Sequence, residues 1–276
     1  MFIFREVLVA LFYDTHAHLD YPEFSLEVAA ILDRARSAGI AKVVCIGTDF
    51  ESSRRGIALA EAFPEVYAAV GWHPSEALEA PDDIRETLRE LAQHPKVVAL
   101  GETGLDYYRL PSGQRGGTAE DDARYKQKQA SLFRQHLEIA ADLGLSCVIH
   151  QRSSFKDTVA QLAPFAQQVS GVFHCFAGTL DDLRQVLDLG SIVSFTGILT
   201  FKNGDNIRQA LAATPMNKFM LETDSPYLAP VPYRGKRCEP AYVKEISECA
   251  AGIKGCSLEE LSTATCGTAK RFFKKL

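Results

Sequence analysis

The chain has 276 residues, 46% hydrophobic and 24% charged, an ordinary globular composition long enough to bury a substantial core. Thirty Lys and Arg against 35 Asp and Glu leave a net charge of -5. That balance argues against a protein that coats duplex DNA through a broad basic surface, though not against a nuclease that holds phosphate through metal ions and a few local cations.

The N-terminal "MFIFREVLVALF" resembles a signal peptide only superficially, because Arg5 and Glu6 split it and no small-residue cleavage site follows. It reads as a strand entering the core, with a few extra leading residues. No stretch approaches the roughly 20 apolar residues of a membrane helix, so no membrane partner is expected. Seven cysteines, an odd number without any C-x-x-C spacing, point to a reducing cytoplasm. Cys45, Cys147 and Cys175 sit in apolar runs and read as small core residues. Cys249, Cys256 and Cys266 lie in a helical C-terminus without the usual spacing of a zinc cluster.

Short apolar runs then recur along the chain, each followed by an amphipathic segment. They are "VALFYDTH", "KVVCIGTD", "VYAAVGWHP", "VVALGETGLD", "SCVIHQR", "SGVFHCFAG", "SIVSFTG" and "FMLETDSP". Continuous rather than alternating hydrophobicity marks parallel strands buried on both faces. Between the runs lie helix patterns such as "SLEVAAILDRARSAG", where Ser25 is placed to cap and Gly39 to terminate. Eight such units predict an α/β fold, a (β/α)8 TIM barrel over residues 1–276 without a domain break. The competing architecture is an open doubly wound sheet, but no G-x-G-x-x-G follows the first strand. One segment departs from the repeat: "RLPSGQRGGTAEDDA" (109–123) reads as a long polar loop. The C-terminus reads as two closing helices, the second capped by Ser257 with Glu260 completing a capping box.

In "DTHAHLD" (14–20), His16 and His18 stand one residue apart and so project from one face of a strand. Alone, such a pair is equally explained by one packed and one solvated ring. Yet the other strand ends contribute His73, Glu102, His150, His174 and Asp224, while only His94 and His136 among seven histidines fall elsewhere. In a barrel those ends open on one face, where active sites are built. Four imidazoles and two carboxylates without a thiolate suit Zn²⁺, Mn²⁺, Co²⁺ or, with more water, Mg²⁺. Six donors exceed what one catalytic ion needs and suffice for two ions roughly 3.5–4 Å apart sharing a carboxylate, for which Glu102 is the choice.

"DTHAHLD", "VGWHP", "GETGLDYY", "HCFAG", "ETDSPYLAP" and "RGKRCEPAYV" together resemble the motifs of the TatD family of metal-dependent nucleases, a branch of the amidohydrolase-like barrels. The resemblance runs over about the whole chain. It implies His16, His18, Glu102, His150, His174 and Asp224 as metal ligands, with His73 and Arg152 near the substrate. It also implies hydrolysis of DNA, mainly from 3' ends, with Mg²⁺ or a similar ion. A recess ringed by loops on a chain of net charge -5 adds the expectation of single strands over duplex, with RNA left open. Departures at Thr103, Ser153, Ser154, Cys238 and the 109–123 loop bear on substrate preference and remove no ligand.

The expected mechanism is attack on phosphorus by water whose pKa the ions lower, with Asp224 binding one ion and also taking the proton of that water. His73, Arg109, Arg152, Arg234, Lys236 and Arg237 are the candidates to hold phosphates, and for the last three a solvated charge run is the alternative. The partner expected is a nucleic-acid end, with no obligate protein partner. Two rival functions remain at this stage: an amidohydrolase-type reaction on a lactone or phosphotriester, and a non-catalytic binding protein.

Overall fold

Eight parallel strands follow one another around one sheet in chain order. They are β1 (Phe12–Ala17), β2 (Ile40–Ile46), β3 (Val66–Val70), β4 (Val97–Asp106), β5 (Ser146–Arg152), β6 (Gly171–Phe173), β7 (Ile192–Phe195) and β8 (Phe219–Leu221). The computed structural model describes residues 10–114 and 116–276, so residues 1–9 of the N-terminal segment expected as a strand entering the core lie outside the described residues. Helices α1 (Val28–Ser37), α2 (Phe50–Ala62), α3 (Arg85–Ala92), α4 (Ala119–Leu143), α5 (Phe155–Leu162), α6 (Leu180–Asp188) and α7 (Asp205–Ala213) connect the strands. Helices α8 (Val243–Lys254) and α9 (Leu258–Phe272) follow β8. No described helix is long and apolar enough to cross a membrane.

The seam between β1 and β8 decides barrel against open sheet. Ala17 bridges Ser225 in parallel, His18 N–H donates to Ser225 O at 2.8 Å, and Asp224 N–H donates to His16 O at 2.9 Å. The protein is a (β/α)8 barrel, closed by the backbone around the candidate ligands themselves.

Continuous apolar runs arise because both strand faces are covered. In β2, Val43 and Cys45 pack outward under the helices, whereas Val44 and Ile46 point into the barrel. Phe272 and Phe273 at the end of α9 join that inner cluster with Tyr13, Val98, Val148 and Met220. The interior is thus mainly a packed apolar plug, and its histidines and carboxylates gather in the carboxyl-end layer.

Two local expectations change. Ser25 does not cap α1: its hydroxyl donates to Pro22 O, and the helix starts at Val28 without a side-chain cap. Gly39 does follow the helix in the left-handed region at φ 86°. The polar 109–123 segment is shorter than expected because "TAED" is a capping box, in which Asp121 N–H donates to Thr118 Oγ1 and Asp121 accepts from Thr118 N–H, so α4 begins at Ala119. The Ser257–Glu260 box stands as expected, with reciprocal bonds of 3.2 and 2.8 Å.

Candidate metal centre and catalytic cleft

His16 and His18 alternate with Ala17 and Leu19, which are buried in the outer core, so both rings turn inward at the top of the barrel. Their flanking aspartates are ties. Asp14 accepts from Thr223 N–H at 2.9 Å and from Thr223 Oγ1 at 2.5 Å, fixing β1 against the segment that carries Asp224. Burial pushes the Asp14 carboxyl up to about 8. Asp20 accepts from Ser52 Oγ at 2.8 Å and from Arg55 at 3.0 Å, holding the first turn of α2.

Glu102 is the centre of the constellation. Its Oε2 lies 3.3 Å from His16 Nε2 and 3.8 Å from His18 Nε2. Its Oε1 lies 2.7 Å from His174 Nε2, 2.8 Å from His150 Nδ1 and 3.3 Å from His73 Nε2. Asp224, held at φ 61°, sits 3.6 and 3.5 Å from the same His16 and His18 nitrogens. Burial opposes ionisation of Glu102, but positive charge on His174, His73 and His16 holds its carboxyl well below the usual range.

Whether a metal fits is answered by these contacts. Ring nitrogens face one another at 3.4 Å (His16–His18), 3.3 Å (His150–His174) and 3.2 Å (His73–His150) while also facing carboxylate oxygen. Nitrogen and oxygen donors gathered this closely fit a cation bound among them. The donors fall into three overlapping groups: His16, His18 and Asp224; His16, Glu102 and His174; and His73, Glu102 and His150. Nitrogen and oxygen donors without thiolate suit the ions expected from sequence. Among the described residues, the C-terminal cysteines form no such group.

A cleft of about 1110 Å³ opens above these groups, lined by His18, His73, Glu102, His150, His174 and Asp224 and walled by Tyr21, Arg109, Arg152 and Tyr227.

The family model described as TatD related DNase matches residues 13–274. The chain belongs to this family. A relative named as an uncharacterized metal-dependent hydrolase, YabD of Bacillus subtilis, is 34% identical over 96% of this chain and 99% of its own length. One from Pantoea vagans, named as the 3'-5' ssDNA/RNA exonuclease TatD, is 33% identical over 95% of this chain and 99% of its own. Among solved structures, YJJV, a TatD homologue from Escherichia coli, superposes with a TM-score of 0.86 at 27% identity, covering 95% of this chain and 98% of that one. This TatD-family chain is therefore a metal-dependent hydrolase.

In this TatD-family barrel, the residues expected as ligands gather in one cluster: His16, His18, His150 and His174 approach Glu102, and Asp224 joins through His16 and His18. His73, expected near substrate, lies within the same cluster. Arg109 and Arg152 reach the cleft wall, Arg152 with its guanidinium 3.7 Å from the Tyr108 ring centre. Arg234, Lys236 and Arg237 do not line the cleft. Arg234 stacks on Phe201 at 3.6 Å, Lys236 lies over Tyr233, and Arg237 pairs with Glu27 at 3.0 Å and with Glu23 O. Aromatic rings and carboxylates on neighbouring loops draw these three cations outward.

The reading of Cys175 as a core residue changes, and two α4 residues without any motif signal support the site. Cys175 is half-buried at the cleft wall rather than in the core, and its N–H donates to buried Glu222 at 2.7 Å. His136 and Gln129 on α4 hold the backbone on either side of His73: His136 Nε2 accepts from Trp72 N–H at 3.0 Å, and Gln129 donates to Pro74 O at 3.0 Å. Their seven-residue separation repeats one helix face, a spacing that core packing produces equally well.

Proposed function

We propose that this hydrolase removes nucleotides stepwise from the 3' ends of single-stranded nucleic acid, DNA foremost. Two divalent ions would serve it, Mg²⁺ first among them: His16, His18 and Asp224 would hold one, His150 and His174 the other, with Glu102 shared. The observation that carries the reading is the position of the donor cluster at the floor of a cleft walled by tyrosines and arginines. Its relatives named as ssDNA/RNA exonucleases support the same substrate class.

Bound ions lower the pKa of water and offset charge on the phosphoryl oxygens. The remaining work falls to side chains. Asp224 is held below the usual carboxylate range, burial being outweighed by His18, so it is ionised and able to accept the proton of the attacking water. Arg109 and Arg152 would hold phosphates above the centre. Tyr227, 53% exposed and edge-on to Tyr21 at 6.4 Å, and the Arg152–Tyr108 stack offer flat faces for unpaired bases. A recess at a barrel mouth accepts a frayed strand end, whereas a stiff duplex cannot enter it.

The test compares 5'-labelled linear, 3'-phosphorylated and circular single-stranded DNA in one divalent buffer, with chelator as control. A ladder shortening from the 3' end of the linear strand, slowed by the 3' phosphate and absent from the circle, is the expected result. Cleavage of the circle as fast as the linear strand overturns the exonuclease reading.

A further inference from the structure

The three imidazoles opposite β1 are held from behind very differently. His174 Nδ1 lies 3.7 Å from Glu222, too far for a hydrogen bond, and His73 Nδ1 meets exposed Ser75, whose hydroxyl lies at 2.7 Å and whose N–H donates to it at 3.0 Å. His150 alone has a carboxylate at hydrogen-bond distance: its Nε2 lies 3.1 Å from Asp106 Oδ2.

Asp106 is itself fixed at every polar atom. Its Oδ1 accepts from Tyr108 N–H at 2.8 Å. Its N–H donates to Gln129 Oε1 at 3.0 Å, and its carbonyl accepts from Gln129 Nε2 at 3.0 Å. Gln129 is fully buried on α4 and uses the same amide nitrogen to hold Pro74 O, beside His73. One buried amide thus sets the ends of β3 and β4 together, and Asp106 passes that position across to β5.

We propose that Asp106 is the positioning residue of the hydrolytic centre, acting through His150. An ionised carboxylate only accepts, so the His150 proton must sit on Nε2, leaving the Nδ1 lone pair directed at Glu102 and the cluster. Without that bond the ring is free to flip or to exchange tautomers, and a donor nitrogen becomes an N–H. A carboxylate behind a ligating imidazole also raises its basicity, and loss of such a partner typically costs about 10–100-fold in metal affinity. The inference rests on reading the cluster as a metal centre.

The experiment measures Zn²⁺ and Mn²⁺ affinity of ion-free protein by calorimetry for wild type, Asp106→Asn and Asp106→Ala. It adds the imidazole ¹⁵N spectrum of the Zn²⁺-loaded proteins and the Tm of each ion-free protein. The expected result is a graded loss, about tenfold for Asn and approaching a hundredfold for Ala. The Tm should be nearly unchanged, and the His150 signals should move away from the single Nε2–H tautomer. Should Ala fail to fold, the isosteric Asn variant decides alone. Affinities within twofold of wild type overturn the proposal while leaving the metal centre standing. Affinity loss with unchanged His150 signals makes Asp106 merely structural and also overturns it. A wild-type protein that binds neither ion defeats the metal reading and this inference together.

Discussion

Thr223 and Asp14 lock the barrel seam one residue away from Asp224, through bonds of 2.5 and 2.9 Å that are wholly buried. With its carboxyl pushed up to about 8 by burial, Asp14 is neutral at pH 7 and an amide is its near-isostere. Asp14→Asn should therefore cost less than about 1 kcal/mol, whereas Asp14→Ala, which orphans the Thr223 donors, should cost about 1–3 kcal/mol. Urea unfolding of both variants checks this. Equally large losses would contradict a neutral Asp14, and negligible losses in both would show that the seam does not depend on this pair.

His136 gives the fold an acid-sensitive joint. Its Nε2 accepts from Trp72 N–H, and its Nδ1 faces Leu132 O at 2.8 Å, so the neutral ring satisfies both partners. Burial lowers its pKa from 6.5 to about 4. Below pH 6.5 the unfolded chain takes up a proton that the folded chain refuses, so this stability is present above 6.5 and lost as pH falls towards 4. The full effect is about 3 kcal/mol. His136→Gln keeps an acceptor and removes the titration. Its stability relative to wild type should improve as pH falls from 6.5 to 4; a difference constant with pH would contradict the assignment.

Five imidazoles approach Glu102 within 3.8 Å, so no other single side chain touches both halves of the cluster to the same extent. Glu102→Gln removes the negative charge and replaces one acceptor oxygen with a donor. Bound ion per chain, measured by elemental analysis after dialysis, should fall below the wild-type value, and hydrolysis should drop by more than about 10²-fold. Full metal content with full activity would remove Glu102 from the bridging position. Asp224→Asn should instead lower kcat by about 10²–10⁴-fold with little change in substrate affinity.

Most of this centre was legible because its signals are periodic. Strand runs without alternation announced a sheet covered on both faces, as Val43 and Cys45 outside and Val44 and Ile46 inside make clear. The H-x-H spacing put two rings on one face, and each further ligand ended its own apolar run. Features set by contacts between distant loops left no such trace. Whether Arg237 turns to the cleft or to Glu27 depends on a helix about two hundred residues away in sequence. Gln129 looked like any polar residue of an amphipathic helix, because its partners are main-chain atoms of two other strand ends. Asp106 lay inside a quoted motif, but only the β4–β5 pairing, which sets it against Arg152, brings it to His150.

The cations therefore separate into two classes that kinetics can distinguish. Arg152 lines the cleft and is held flat against Tyr108, an exposed ring, so removing its charge should weaken substrate capture. Arg152→Ala should raise KM for a single-stranded oligomer by about tenfold, the scale of one charge-assisted phosphate contact, with a smaller change in kcat. It should also flatten the dependence of kcat/KM on salt. Lys236→Ala should alter neither value by more than twofold, because Lys236 points to Tyr233 outside the cleft. Arg237→Ala should act on stability instead, since Arg237 bridges Glu27 and the Glu23 carbonyl. The decisive measurement is steady-state kinetics of the three variants at two salt concentrations. If Lys236→Ala raised KM as much as Arg152→Ala, the basic loop would belong to the substrate path, and the strand would leave the cleft over β8 rather than past β5.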